Sequence, residues 1–298
     1  MARTFAIITT CKGRLEHLKV SLPKMLAQRA DEVIVVDYSC PEGAGEFVAS
    51  NFPSVRVVSV PDQEHFSNWK ARNAGAAVAS SDVLVFVDAD TILADGAIDR
   101  LSTDLPLRTY GFFDSKTSRA FNDGGPRLAS NQLKGFHVIP SAAFRRAGGY
   151  DEVVEGYAAG ADTDLEERLQ IIGLGRNALD GALVESVIQH DAASRTEHHA
   201  YPVRTSYAAG LLYRAAKRAL LRARGSVELP LKLRRQLYAV AKDAAKALGS
   251  RSDSVGMTVV LGKDPILMPR QLGYERGVQT LSLRVEVSLE GKLAEIPD

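Results

Sequence analysis

The sequence predicts an α/β protein on a Rossmann-like sheet with helices on both faces. Three observations lead there. Short apolar runs at 5–10, 32–37, 55–60 and 83–87 alternate with segments of helical periodicity. Two of the runs close on aspartates, Asp37 and Asp88, where an open α/β sheet binds ligands. At 298 residues, 45% hydrophobic and 24% charged, the chain has an ordinary globular composition with room for one or two domains.

Residues 5–10 (FAIITT) read as a buried strand. Residues 13–28 follow, with Leu15, Leu18, Leu22 and Met25 at helical spacing. EVIVVD at 32–37 is a second strand, rich in β-branched residues. The turn Pro41-Glu42-Gly43-Ala44-Gly45 opens a helix to about Asn51, and 55–60 is a third strand. Ser67 is placed to cap a helix over 69–79. Ser81-Asp82 leads into a fourth strand at 83–87, which ends in Asp88-Ala89-Asp90. For these four strands the alternation predicts a parallel sheet covered on both faces.

The stretch from 109 to 190 is less regular. It holds Gly135-Phe136-His137-Val138, a helix start near Ser141, the run RAGGYDE at 146–152 and a Gly/Ala-rich loop at 156–160. A helix with the stripe Leu165, Leu169 and Ile172 comes next, then a strand-like run at 183–188. Between 204 and 251 twelve basic residues face two acidic ones on alanine- and leucine-rich helices broken near Gly225 and Pro230. The tail alternates through Leu281, Leu283, Val285, Val287 and Leu289, as a strand does. This divides the chain into an α/β domain at 1–200 and a basic helical extension ending in a strand at 201–298.

Charge and cysteine content exclude several classes. Lys and Arg total 37 against 36 Asp and Glu, so no global charge draws the protein to nucleic acid. Two cysteines, Cys11 and Cys40, make no disulfide framework and suit a reducing compartment. No leader pattern is seen at the start, and no apolar run reaches about 18 residues. The expected location is cytoplasmic, with peripheral contact at the inner membrane face allowed.

The chemistry concentrates at Asp88-Ala89-Asp90. Two carboxylates two positions apart, where a strand yields to a loop, suit a hard divalent cation such as Mn²⁺ or Mg²⁺; a solvated loop is the plain alternative. Upstream, Lys70 and Arg72 could face a diphosphate or form a wet helix face, while Asn73 and Gly75 suit close backbone approach. The stretch Thr9-Thr10-Cys11-Lys12-Gly13-Arg14 joins a strand to a helix start, whose free N–H groups favour a polar or anionic ligand. Trp69 reads as core more readily than as a stacking surface, and Tyr157 sits in a glycine-flanked loop. Cys11 reads as inert packing, and His65 and His137 as ordinary structural histidines.

In this order, Thr9-Thr10 with Arg14, VIVVD at Asp37, Ala71-Arg72-Asn73 with Gly75, and VFVDAD at Asp88–Asp90 resemble the GT-A-fold family 2 glycosyltransferases. RAGGYDE and Gly160-Ala161-Asp162-Thr163-Asp164-Leu165 are similar to the galactosyltransferase-like second half of that fold. The resemblance covers residues 3 to 200. It implies a mixed GT-A sheet and a metal-dependent, inverting transfer of sugar from a nucleotide-diphosphate donor, most often a UDP-sugar, to an acceptor hydroxyl.

By position, the resemblance gives Asp37 a hydrogen bond from the base, with Thr9, Thr10 and Arg14 lining the same pocket. Arg72 would lie near the nucleotide, Asp88 at ribose or metal, Asp90 at the metal, and His190 at a third metal-ligand position for which His198 and His199 compete. Asp162 falls where the family keeps its general base, and Gly149, Tyr150 and Tyr157 on the acceptor side. The family's Glu before that base is Ala161 here, which touches acceptor binding. Asp164 would support the helix start.

Two other readings stand beside this one. A sugar-phosphate nucleotidyltransferase shares the layered fold and the metal aspartates but needs a glycine-rich loop that residues 9–14, with one glycine, do not supply. A non-catalytic nucleotide-sugar or polyanion-binding module would fit Ala161 alone. The acceptor would be a glycan, a lipid-linked intermediate or a small molecule. The basic helices at 204–251 are a solvated face or a contact for anionic phospholipid, with nucleic acid disfavoured by their sparse aromatics.

Overall fold

The computed structural model describes residues 3–114, 116–117, 133–157, 159–189, 197–247, 254–267 and 276–288, the side chains of 264–267 and 276–277 excepted. They fall into two compact units, one of Met1–Tyr157 with Ala161–Ala200 and one of Ala158–Gly160 with Tyr201–Asp298.

The first unit opens with β1 (Phe5–Cys11), α1 (Leu15–Ala27), β2 (Glu32–Asp37), α2 (Ala44–Asn51), β3 (Arg56–Ser59), α3 (Asn68–Val78) and β4 (Val83–Phe86). β1 is buried at all seven positions, and α1 turns Leu15, Leu18, Leu22 and Met25 inward, the stripe its spacing predicts. Ser67 caps α3 by accepting from the Lys70 amide at 3.4 Å. The unit continues with β5 (Thr91–Leu93), α4 (Ala97–Asp104), β6 (Thr109–Phe112), β7 (His137–Pro140), α5 (Ser141–Arg146), α6 (Ala161–Ile171), β8 (Gly175–Ala178) and β9 (Val184–Val187).

Seven of these strands form one sheet in the order β3-β2-β1-β4-β7-β6-β8. β1, β2, β3 and β4 run parallel, whereas β7 runs antiparallel to both of its neighbours, so the sheet is mixed, as GT-A geometry requires. A separate pair, β5 and β9, is antiparallel. Leu18, Leu22, Val35, Val85, Leu101, Phe136 and Val138 belong to the core that α1 and α4 seal on one side of the sheet.

In the second unit α7 (Val203–Arg224) ends on Gly225, whose φ of 59° supplies the left-handed cap, and α8 (Leu231–Lys246) starts after Pro230. An antiparallel ribbon follows, β10 (Ser254–Leu267) on β11 (Arg276–Ser288), with a bulge between Val260 and Gly262. The tail was expected to hold one strand; β10 is the second. Not all twelve cations form a wet face: Lys217 is buried against Tyr213, and Lys242 lies over Tyr201 and Tyr238. Among the described residues no helix is long and apolar enough to cross a membrane.

Candidate active site

Because β1, β2 and β4 are parallel and in register, Cys11, Asp37 and the segment from Asp88 emerge at one edge of the sheet. The candidate site is built along that edge. Its centre is Arg72, on the sheet-facing side of α3 and 1% exposed. Nη2 bonds Asp88 Oδ1 at 2.6 Å, and Nη1 reaches Tyr150 Oη at 3.1 Å and Asp162 Oδ1 at 3.5 Å. The guanidinium also lies over the rings of Phe86 and Tyr150, at 5.7 and 5.6 Å. One cation thus joins the end of β4 to the start of α6, elements 74 residues apart in sequence.

Burial raises the Asp88 carboxyl above its ordinary value; Arg72 opposes that rise, and the charges of Asp90 and Asp162 add to it. Asp88 keeps a 31% exposed side chain, and Asp90 lies half-buried beside it, followed by the β5–β9 pair. With one oxygen of Asp88 on Arg72, its other oxygen and the Asp90 carboxylate would offer hard donors of the kind Mg²⁺ or Mn²⁺ takes. Among the described residues no three His, Cys, Asp or Glu are arranged to hold an ion alone, so substrate oxygens would complete the shell. His190, expected as a third ligand, lies outside the described residues.

The next residue on α3, Asn73, grips the GGYDE turn. Its Oδ1 accepts from Tyr150 N–H and its Nδ2 donates to Tyr150 C=O, both at 2.9 Å, and to Glu152 Oε1 at 2.8 Å. Gly149 is needed there twice over: its φ is +67°, and a Cβ would meet Asn73 Oδ1 at 2.7 Å. Tyr150 was expected on the acceptor side. It is 1% exposed and packed among Trp69, Phe86 and Phe144, so it holds the guanidinium from behind the site. Trp69 is core, as its helical position predicts.

The residues expected around the base divide as strand alternation dictates. Thr9 is sealed inside with its hydroxyl unpartnered, which removes it from an open pocket; Thr10 donates to Asn68 Oδ1 at 3.0 Å. Arg14 is half-buried at the N-terminus of α1. Asp37 accepts from the Cys40 and Gly45 amides, at 2.7 and 2.8 Å, and each oxygen keeps a second lone pair for a ligand. Lys12 is not a free cation: buried, it donates to the carbonyls of Tyr38, Ser39 and Gln63 and laces the loops after β1, β2 and β3 together.

Cys11 Sγ and Cys40 Sγ lie 3.8 Å apart beside this edge. Residues 198 and 199 fold back over it: the Phe66 amide donates to the His198 carbonyl at 2.6 Å, and the His198 ring lies against Gly13. His199 packs on Phe66 and Tyr157. Burial, with His198, His65 and Arg14 nearby, lowers its pKa to about 4 and keeps it neutral. A groove of about 600 Å³ lined by Tyr38, Gln63, Lys70, Asn73 and Glu152 runs along α3.

Sequence reasoning passed over His137 and Glu166. His137 is fully buried, its Nδ1 3.3 Å from Tyr150 Oη and 3.7 Å from Asp162 Oδ1, and its Nε2 3.5 Å from Glu166 Oε1. Only the helical spacing of Asp162 and Glu166 hinted at a shared face. Asp164 turns away to a buried pair with Arg168, whose Nε donates to its Oδ2 at 2.9 Å while Nη2 lies 2.7 Å from the same oxygen.

Residues 6–124 match the family model described as Glycosyl transferase family 2. No curated protein sequence matches the chain. Among solved structures, the chain is similar to a mannosyltransferase from Pyrobaculum calidifontis in complex with GDP-Man and Mn²⁺, at 17% identity over 84% of this chain and 77% of that one, TM-score 0.53. It is also similar to S. aureus TarS 1-349 in complex with UDP-GlcNAc, at 13% identity over 81% and 72%, TM-score 0.58. On the sequence match and the shared architecture, residues 6–124 match glycosyl transferase family 2, and the chain carries the GT-A fold.

Proposed function

We propose that the chain is a metal-dependent, inverting glycosyltransferase that moves a sugar from a nucleotide-diphosphate donor, a UDP-sugar, to an acceptor hydroxyl. The observation that carries this is the Arg72 bridge, 2.6 Å to Asp88 and 3.5 Å to Asp162, which gathers candidate metal carboxylate and candidate base into one cluster. Complexes of the fold relatives with GDP-Man and Mn²⁺, and with UDP-GlcNAc, support a nucleotide-sugar donor and a divalent ion.

In this reading Asp162 accepts the proton of the acceptor hydroxyl as its oxygen forms a bond to the anomeric carbon. The bond from that carbon to the diphosphate oxygen breaks on the opposite face, so a single displacement inverts the centre. Asp90 and the second oxygen of Asp88 would hold the cation, whose chemistry when bound is Lewis-acid neutralisation of diphosphate charge. Asp37 would take a hydrogen bond from the base, Thr10 and Arg14 would line its pocket, and Tyr157 would border the acceptor. Arg72 keeps the carboxylates apart in orientation and balanced in charge. The cations still exposed on α7 and α8, among them Arg218, Arg222, Arg224, Lys232 and Arg235, support contact with anionic phospholipid.

The test is a thermal-shift screen of UDP- and GDP-sugars with and without Mn²⁺, followed by nucleoside diphosphate release in Asp90→Ala and Asp162→Asn. Expected are a rise in melting temperature that needs both donor and Mn²⁺, and loss of release in both variants with the fold kept. Unchanged release in both variants would overturn the reading.

A further inference from the structure

We propose that His137 is a positioning residue for Asp162, its enclosed ring fixing which carboxylate oxygen of Asp162 faces the acceptor. This rests on the reading of Asp162 as the base and adds a residue to which neither sequence nor family match assigns a part.

His137 opens β7 and pairs in register with Phe86, so the antiparallel turn of that strand carries its ring under the end of β4. It is 0% exposed. A ring sealed that completely loses its water on both nitrogens, and an apolar side chain would fill the same space at lower cost. Its nitrogens instead face polar groups on two sides. Nδ1 meets Tyr150 Oη at 3.3 Å, within hydrogen-bond reach, and lies 3.7 Å from Asp162 Oδ1; Nε2 lies 3.5 Å from Glu166 Oε1, at ion-pair distance without a hydrogen bond.

Asp162 and Glu166 are one helical turn apart on α6, so a single ring spans both. The groups around His137 are themselves held. Tyr150 is fixed by Arg72 at 3.1 Å. Glu166 accepts from Arg176 Nη2 at 3.0 Å and Tyr110 Oη at 3.4 Å. Burial alone would raise the Glu166 carboxyl, but His137, Arg176 and Lys134 more than offset it and hold it below the usual value, ionised at neutral pH. The charged and titratable groups facing the ring are therefore Asp162, Glu166 and Tyr150, with Arg72, Arg176 and Lys134 behind them.

Asp162 completes this frame. Its Oδ1 sits between Arg72 Nη1 and His137 Nδ1, which leaves Oδ2 as the oxygen turned to an incoming hydroxyl. Removing the imidazole would let the carboxylate rotate and would place it against an apolar wall, where its charged form is disfavoured.

The experiment uses the full chain with Mn²⁺ and the UDP-hexoses and UDP-N-acetylhexosamines of the donor screen, reading UDP release. His137→Phe is expected to lower kcat by roughly tenfold or more, the scale of losing a residue that orients a functional group from behind, with donor KM little changed. The acid limb of its pH profile should move upward. His137→Asn, whose amide can stand where Nδ1 stood, should recover more of kcat than His137→Gln. Wild-type kcat and pH profile in folded His137→Phe, or a kcat in His137→Asn no higher than in His137→Gln, overturn the proposal.

A second readout needs no turnover. The imidazole ¹⁵N resonances of His137, identified by their loss in His137→Asn, should shift in Asp162→Asn. Resonances indifferent to that change also overturn the proposal, even if His137→Phe fails to fold. The two readings remain separable. Activity retained in Asp162→Asn defeats the base assignment itself, whereas a dead Asp162→Asn beside wild-type His137 variants defeats only this inference.

Discussion

Asn73 binds both backbone polar groups of Tyr150, accepting from its amide and donating to its carbonyl, each at 2.9 Å. Arg72, the preceding residue, bonds the hydroxyl of the same tyrosine at 3.1 Å. Two adjacent residues of one helix therefore hold the main chain and the side chain of Tyr150. The RNxG and GGYDE motifs, far apart in sequence, meet in one construction. The cluster at Arg72 depends on it, since Tyr150 is the wall behind the guanidinium.

Asn73→Ala should therefore destabilise the first unit by about 1–3 kcal/mol, the penalty for leaving buried backbone groups unpaired. Asn73→Asp should not rescue it, because a second oxygen would face the Tyr150 carbonyl and Glu152 where Nδ2 now donates. Urea unfolding of the three proteins checks the order. Equal midpoints for wild type and Asn73→Ala would show that the clamp adds nothing.

Gly135→Ala is expected to uncouple Asp88 from Arg72. A Cβ at 135 would lie 2.6 Å from Asp88 Oδ2 and 2.7 Å from Arg72 Nη2, so one of the two must move. The ion pair at 2.6 Å is then lost or stretched. Mn²⁺-dependent donor binding should weaken by about tenfold, on the scale of losing one charge-assisted hydrogen bond, while circular dichroism stays that of the wild type. Titration calorimetry with UDP-sugar and Mn²⁺ reads the difference.

What the sequence made legible follows from how local each signal is. EVIVVD declared β2 to the residue, because a strand buried on both faces needs an unbroken β-branched run. β10 stayed hidden because Gly256, Gly262 and Pro265 interrupt its pattern; a two-stranded ribbon tolerates such residues where a central strand does not. The candidate site shows the same division. Asp88, Asp90, Arg72 and Asp162 were visible as motif positions. The burial of Lys12 under three carbonyls, the sealing of Thr9 and the wedging of His137 arise from loops and a reversed strand meeting in space, and no spacing along the chain encodes those encounters.

The two cysteines should differ sharply in reactivity. The hydrogen bond from Cys11 and the amides of Gly13, Glu42 and Ala44 bring the Cys40 thiol down to about 6 against the opposing effect of burial. The same bond, with burial, pushes Cys11 far up. As the thiolate is the reactive form, iodoacetamide should label one thiol per native chain, at a rate that rises through about pH 6 and levels off above it. Cys11→Ala should move that inflection upward toward the ordinary thiol value of about 8.5. Mass spectrometry of the labelled peptides decides; labelling at Cys11 first would contradict the arrangement.

Arg72→Met should cost about 3–5 kcal/mol, because it leaves the carboxylates of Asp88 and Asp162 facing each other without their shared cation. Arg72→Lys should fall between the variant and the wild type. An ammonium is a single point, whereas Nη2 serves Asp88 and Nη1 serves Tyr150 and Asp162 from one planar group. If uncompensated charge is the cause, adding Asp88→Asn to Arg72→Met should return part of the lost stability, although donor release stays absent. A double variant no more stable than Arg72→Met would instead assign the loss to packing, since the guanidinium also fills the space between Phe86 and Tyr150. Urea midpoints for wild type, both single variants and the double variant close the cycle and separate charge from volume.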